Sequence, residues 1–136
     1  MNEIESKLEA RKIRPTAMRI LVLQYLTQQD TAVSLKSLEL AFEKADTSTL
    51  FRTLKTFEDH KLVHRIEDGS GQTKYALCLQ HCQCRPQDQH YHFHCIQCEE
   101  TYCLTANTVP QLDLPANFTL KQANLVLKGI CAHCQL

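Results

Sequence analysis

The chain has 136 residues, of which 43% are hydrophobic and 22% charged; this excludes a disordered polymer, and no run approaches the roughly 18 to 20 apolar residues that a membrane-crossing helix requires. The opening MNEIESKLEARK alternates charges where a secretory leader would carry an apolar core, so a cytoplasmic protein without membrane contact is expected. The 15 basic and 15 acidic side chains cancel, which excludes binding of nucleic acid by bulk electrostatics and requires any DNA contact to be local.

In chain order, Ile4 and Leu8 predict a leading helix within residues 2–12. Met18, Leu21, Val22, Tyr25 and Leu26 recur at helical spacing, with Pro15 where a first turn tolerates it. Ser34 caps a shorter helix carrying Leu35, Leu38 and Phe42, and Asp46 or Thr47 caps another carrying Leu50, Leu54 and Phe57. The text then changes to LVHRIE, DGSGQ and TKYALC, two strands joined by a turn in which Gly69 and Gly71 supply a permissive backbone. Helices followed by such a hairpin predict a winged helix-turn-helix over residues 1–80; a plain helical domain with a hairpin is the competing reading. Residues 81–89, HCQCRPQDQ, read as a linker. Over 90–136, HYHFHC, the turn CIQCEE and TYCL read as a second hairpin, and FTLKQANLVLKGIC as one longer strand. Pro110 and Pro115 discourage a long helix between them, so a small sheet of about three strands closes an α+β chain.

All eight cysteines and five of the seven histidines lie at or after Cys78. Stable disulfides are disfavoured in a cytosolic setting, which leaves metal or redox chemistry. Cys95 and Cys98 form one C-x2-C pair and Cys131 and Cys134 a second, with 32 residues between the pairs. Four thiolates in two such pairs can close a tetrahedron around structural zinc and staple a domain of about 50 residues, too small to depend on core burial alone. A dithiol redox site is the alternative, although that chemistry needs one pair at a helix start. No H-x-E element precedes a P-C-x-x-C, so a zinc hydrolase or deaminase, and an enzyme generally, is not expected.

His64, Cys78, His81, Cys82, Cys84, His90, His92, His94, Cys103 and His133 remain, more ligand than one structural site uses. In a strand, His90, His92 and His94 share one face, where they either converge on a metal or form a solvated polar surface. His64 and Cys78 lie on the two strands of the wing. A metal bound by His64, Cys78, His90 and His92 would bridge the two halves and couple its binding energy to their relative orientation.

This order of elements, together with HYHFHCIQC and the terminal CAHC, resembles the ferric uptake regulator (Fur) family of metal-dependent repressors over nearly the whole chain. RKIRPTAMR is similar to the family's stretch before its second helix, and DTSTLFRTLKTFEDHKLVHRI to its recognition helix running into the wing. The resemblance implies a homodimer on a double-stranded DNA operator, with Ser48, Thr49, Phe51, Arg52 and Lys55 presented to the major groove. Phe51 stands where tyrosine is usual, keeping apolar contact with a thymine methyl but lacking the hydroxyl. The helical pattern separately puts Ser48, Arg52, Lys55 and Asp59 opposite Leu50, Leu54 and Phe57. Arg14 and Arg19, with Arg11 and Lys12, look like phosphate contacts. Residues 1–80 hold 12 basic and 11 acidic groups, so affinity would come from two copies reading two half-sites.

The resemblance implies structural zinc at Cys95, Cys98, Cys131 and Cys134, and a regulatory metal at His64, Cys78, His90 and His92. Cys103, where a glutamate is frequent, is a further candidate ligand. Sulfur at position 78 resembles the zinc uptake regulator branch, and a mixed nitrogen and sulfur set favours zinc over ferrous iron; an iron- or peroxide-sensing regulator is the alternative, and a thiol oxidoreductase or zinc buffer lies further away. Ala32 stands where iron sensors often place histidine. Gln89, Tyr91 and Ile130 occupy positions of a further family metal site, expected to be absent here. The linker adds His81, Cys82 and Cys84 without an assigned role, and the family's dimerisation helix is shortened to TANTVPQLDLPAN, which shifts dimerisation onto the final strand.

Overall fold

The computed structural model describes residues 2–77, 90–108, 113–121 and 125–135, with the backbone alone at 90 and 105–108. Cys78 and the linker 81–89 lie outside the described residues. No described helix is long and apolar enough to cross a membrane.

Helix α1 (Glu3–Ala10) starts at Asn2, whose Oδ1 accepts the Glu5 N–H at 2.8 Å, and it buries Leu8 completely. Helix α2 (Ala17–Thr27) is capped by Thr16 and buries Val22, Leu23 and Leu26, so Pro15 precedes the cap rather than occupying the first turn. A two-residue strand β1 (Val33–Ser34) leads into α3 (Leu35–Ala41), where Ser34 Oγ accepts the Ser37 N–H at 3.1 Å. Helix α4 (Thr47–Asp59) begins at Asp46, whose side chain makes no capping bond. Its apolar stripe, Leu50, Leu54 and Phe57, is fully buried against Leu8, Val22, Leu23 and Leu38. Burial of these side chains is the main stabilising term, since each full burial contributes about 1.5–3 kcal/mol.

Strands β2 (Val63–Glu67) and β3 (Thr73–Leu77) pair antiparallel, and β1 adds to β3 on the far side, giving the order β1-β3-β2. Gly69 and Gly71 turn the hairpin with φ of +85° and +90°, a backbone region costly for other residues. Because side chains alternate across a strand, this first sheet, whose β2–β3 hairpin is called the wing below for the expected element it matches in position, has two working faces. Val63, Tyr75 and Leu77 pack on the helical core, whereas Ile66 and Ala76 join a second small cluster with Ala32 and Cys103.

The second sheet has the order β5-β4-β6: β4 (His90–Cys95) pairs antiparallel with β5 (Thr101–Thr108) and parallel with β6 (Val126–Gly129). β5 runs past the expected TYCL, while the last strand is shorter than expected. Before it, Phe118 N–H bonds Pro115 O at 3.2 Å, Asn117 adopts φ +69°, and Phe118 and Leu120 are exposed. That turn precedes the strand, and among the described residues β6 pairs β4 only from His92 to Cys95. The two sheets meet face to face: His64, Ile66, Lys74 and Ala76 of the wing look toward His92, His94, Thr101 and Cys103.

Candidate metal centres and the exposed face of α4

The β4–β5 turn and the chain end after β6 bring Cys95, Cys98, Cys131 and Cys134 together, all Sγ atoms within 4.8 Å of one another. Cys95 Sγ lies 3.7 Å from Cys134 Sγ, and Cys98 Sγ lies 3.8 Å from Cys131 Sγ. A tetrahedron of thiolates about 2.3 Å from a central zinc has edges of about 3.8 Å, so the donor set fits that ion. The local backbone prepares the site: the N–H groups of Cys98 and Cys131 point at Cys95 Sγ from 3.5 and 3.4 Å. Led by the Cys98 N–H, these bonds bring the Cys95 pKa down to about 5, against the effect of burial. The Cys134 N–H does the same for Cys131, lowering its pKa. Contact with the Cys131 thiol pushes Cys134 up to about 12. Each pair thus offers one thiol predisposed to ionise.

A second cluster lies between the sheets. His64 of β2 and His92 and Cys103 of the second sheet converge, with their ligand atoms within 4.8 Å of one another. The two Nε2 atoms stand 3.3 Å apart and the ring centroids 5.4 Å apart. Two imidazole nitrogens on one tetrahedral zinc, each at about 2.0–2.1 Å, are separated by about 3.3 Å, so this pair too is spaced for a shared metal. His92 is buried and Cys103 half-buried. Burial pushes the Cys103 thiol up to about 11, so a metal would have to displace its proton. Of the other ligands expected from sequence, Cys78 lies outside the described residues and His90 is described only as a β4 position. His94 points to the same face but is engaged differently: its Nδ1 lies 3.0 Å from Thr101 Oγ1 and 3.2 Å from Asp68 Oδ2.

Sequence reasoning missed the group around Asp68. Asp68 is buried in the wing turn, accepts from Thr101 Oγ1 at 2.6 Å and from the Ser70 N–H at 2.9 Å, and pairs with buried Lys74 at 3.2 Å. Burial opposes its ionisation, but these hydrogen bonds and the Lys74 charge outweigh it and hold the carboxyl well below its usual range. The one available signal was the spacing of an acid and a lysine across a tight hairpin, which reads equally as a solvated turn.

On α4, Ser48, Phe51, Arg52 and Lys55 are exposed and Thr49 half-buried, on the side away from Leu50, Leu54 and Phe57. Phe51 keeps 49% of its surface exposed. Arg52 Nε donates to Ser48 O at 3.3 Å, and Lys55 pairs with Asp59 at 3.4 Å and Glu58 at 3.8 Å. Arg14 is exposed, and Arg19 in the first turn of α2 donates to Arg14 O at 3.0 Å. A cavity of about 440 Å³ between α3, α4 and the wing is lined in part by Lys36, Phe51 and Arg65.

A model of the ferric uptake regulator family matches residues 10–128. Among solved structures, a zinc uptake regulator complexed with zinc and DNA is similar with a TM-score of 0.67 and 24% identity, covering 96% of this chain and 89% of that one. A zinc-bound manganese uptake regulator gives 0.65 and 18%, covering 96% and 99%. The Vibrio cholerae ferric uptake regulator gives 0.63 and 21%, covering 93% and 98%. No protein of curated function matches at a significant level of sequence similarity. At these identities the solved structures establish a shared α+β fold.

Proposed function

The chain belongs to the ferric uptake regulator family, and from that membership we propose that it is a zinc-responsive, homodimeric transcriptional repressor that binds double-stranded operator DNA and controls metal-uptake genes in the cytoplasm. The observation that carries the reading is the convergence of His64 from the wing with His92 and Cys103 from the opposite sheet. Residues 1–80 form the DNA-binding winged-helix domain, 81–89 the hinge and 90–136 the dimerisation and metal-binding domain. Cys95, Cys98, Cys131 and Cys134 hold a structural zinc that staples the second domain. His64, Cys78, His90, His92 and Cys103 form the regulatory site.

A metal held from both sides of the sheet interface favours one relative orientation of the domains over all others. Its differential affinity for that orientation is what changes DNA affinity. Ser48, Thr49, Phe51, Arg52 and Lys55 read the major groove, and Arg14 and Arg19 contact phosphates. Sulfur in the regulatory set favours zinc over ferrous iron, which prefers more oxygen donors. The similarity to a zinc uptake regulator complexed with zinc and DNA supports the same effector class.

The test is metal stoichiometry of anaerobically purified protein before and after mild chelation, paired with binding to palindromic AT-rich DNA. About one zinc per chain should resist chelation, and a second, removable zinc should restore DNA binding. Restoration by ferrous iron alone would replace zinc with iron as the effector, and DNA binding indifferent to any metal would overturn the regulatory reading.

A further inference from the structure

Among the described residues, the face between the two sheets carries a buried polar group besides the candidate metal cluster. In that group, Asp68 and Lys74 of the wing engage His94, Glu99 and Thr101 of the β4–β5 hairpin. Thr101 Oγ1 donates to Asp68 Oδ2 at 2.6 Å, Lys74 Nζ lies 3.2 Å from both Asp68 Oδ2 and Thr101 Oγ1, and Lys74 also donates to the Glu99 carbonyl. The Asp68 and Lys74 side chains are 0% and 8% exposed, and Thr101 is fully buried. Two further bonds extend the contact on the side of β1: Ala32 N–H to Thr101 O at 2.8 Å and Thr31 Oγ1 to Glu100 Oε2 at 2.6 Å. Beside them Lys128 of β6 lies over Gly69, where a Cβ would stand 2.5 Å from its Nζ.

A buried ion pair with every polar atom engaged is weak evidence for stability, because desolvation cancels much of the attraction. Its value lies in geometry, since any other seating of the wing leaves a charge buried without its partner. We infer that Asp68, Lys74 and Thr101 are positioning residues, a metal-independent latch that seats the wing on the Cys95–Thr101 hairpin and converts metal binding at the neighbouring cluster into a fixed wing orientation. The latch rests on the proposed repressor function only for its DNA consequence; the seating itself is a property of the fold. It also gives the four-cysteine site a reach beyond its own half, because Glu99, whose carbonyl Lys74 grips, lies next to Cys98 in the turn that the metal would hold.

The experiment compares the zinc-loaded full chain with Asp68→Asn, Thr101→Val and Thr101→Ser, and with the double variant Asp68→Asn/Lys74→Met, which removes both buried charges should a single change prevent folding. Amide exchange of residues 68–74 and 94–101, zinc content and zinc-dependent DNA affinity are read together. The latch predicts that Asp68→Asn, Thr101→Val and the double variant raise exchange in both segments at once and keep the chelation-resistant zinc. They should weaken zinc-stimulated DNA binding by about tenfold, a usual size for coupling between sites. Thr101→Ser, which retains the hydroxyl, should behave as the parent. Faster exchange confined to 68–74, or unchanged DNA affinity in a parent that does respond to zinc, overturns the latch. If the parent binds no DNA in any metal state, the repressor reading fails, and joint loss of protection in the two segments still decides the latch.

Discussion

The Nε2 atoms of His64 and His92 stand 3.3 Å apart across the face between the two sheets, although 28 residues separate them in the chain. One belongs to the wing and the other to the strand that ends at Cys95, so an ion shared by them ties the two halves together. His64→Ala and His92→Ala should each abolish binding of the removable zinc and leave the tight one in place. Metal analysis after gel filtration in a weak chelator checks this; retention of both metals in either variant would remove that residue from the site.

If Cys103 ligates the proposed removable zinc, binding has a pH dependence with a definite sign. The Cys103 thiol, raised to about 11 by burial, holds a proton in the metal-free protein at neutral pH and loses it to the metal. Because binding releases that proton, affinity must rise with pH until the thiol ionises unaided, by about tenfold per pH unit per proton released. Zinc titrations between about pH 6 and 8, where histidine also releases protons, should give at least that slope, and Cys103→Ser should flatten it.

On the proposed reading, a tight zinc held by Cys95, Cys98, Cys131 and Cys134 acts as a folding element. Cys131→Ser or Cys134→Ser should lose it and expose the amides of β4, β5 and β6, because structural zinc supplies much of the folding energy of so small a unit. Helices α1 to α4 have their own buried core and should keep their exchange protection. Hydrogen exchange resolved by segment distinguishes this from global unfolding.

Arg52 is exposed on α4, one helical turn after Ser48, whose carbonyl it contacts at 3.3 Å. If Arg52 reads a base edge, Arg52→Ala should weaken binding to the operator by about 1–3 kcal/mol and affect unrelated duplexes far less. Equal weakening on both, with a shallower salt dependence, would make it a phosphate contact instead. Binding isotherms at two salt concentrations separate the outcomes.

The four helices, the wing turn and the four-cysteine cluster were legible in the sequence because each is signalled locally. Leu50, Leu54 and Phe57 repeat at helical spacing, Ser34 caps α3 by bonding three residues ahead, and Gly69 and Gly71 meet a backbone demand that few residues can. The parallel pairing of β6 with β4 was not legible, since it joins segments more than 30 residues apart and depends on a crossover. The latch was invisible for a different reason: Asp68 reads as a turn residue and Lys74 as a solvated strand position until the second sheet covers them. His94 shows the same limit, as it alternates with His92 yet bonds Thr101 and Asp68.

Control of DNA binding by a metal shared across the two sheets is tested most directly by fluorescence anisotropy of palindromic operator DNA with the full chain, measured against free zinc, with His92→Ala alongside. Zinc should strengthen binding by at least about tenfold in the parent and leave His92→Ala, still carrying its tight zinc, in the weak state. Equal zinc stimulation of both proteins would contradict control by the shared metal.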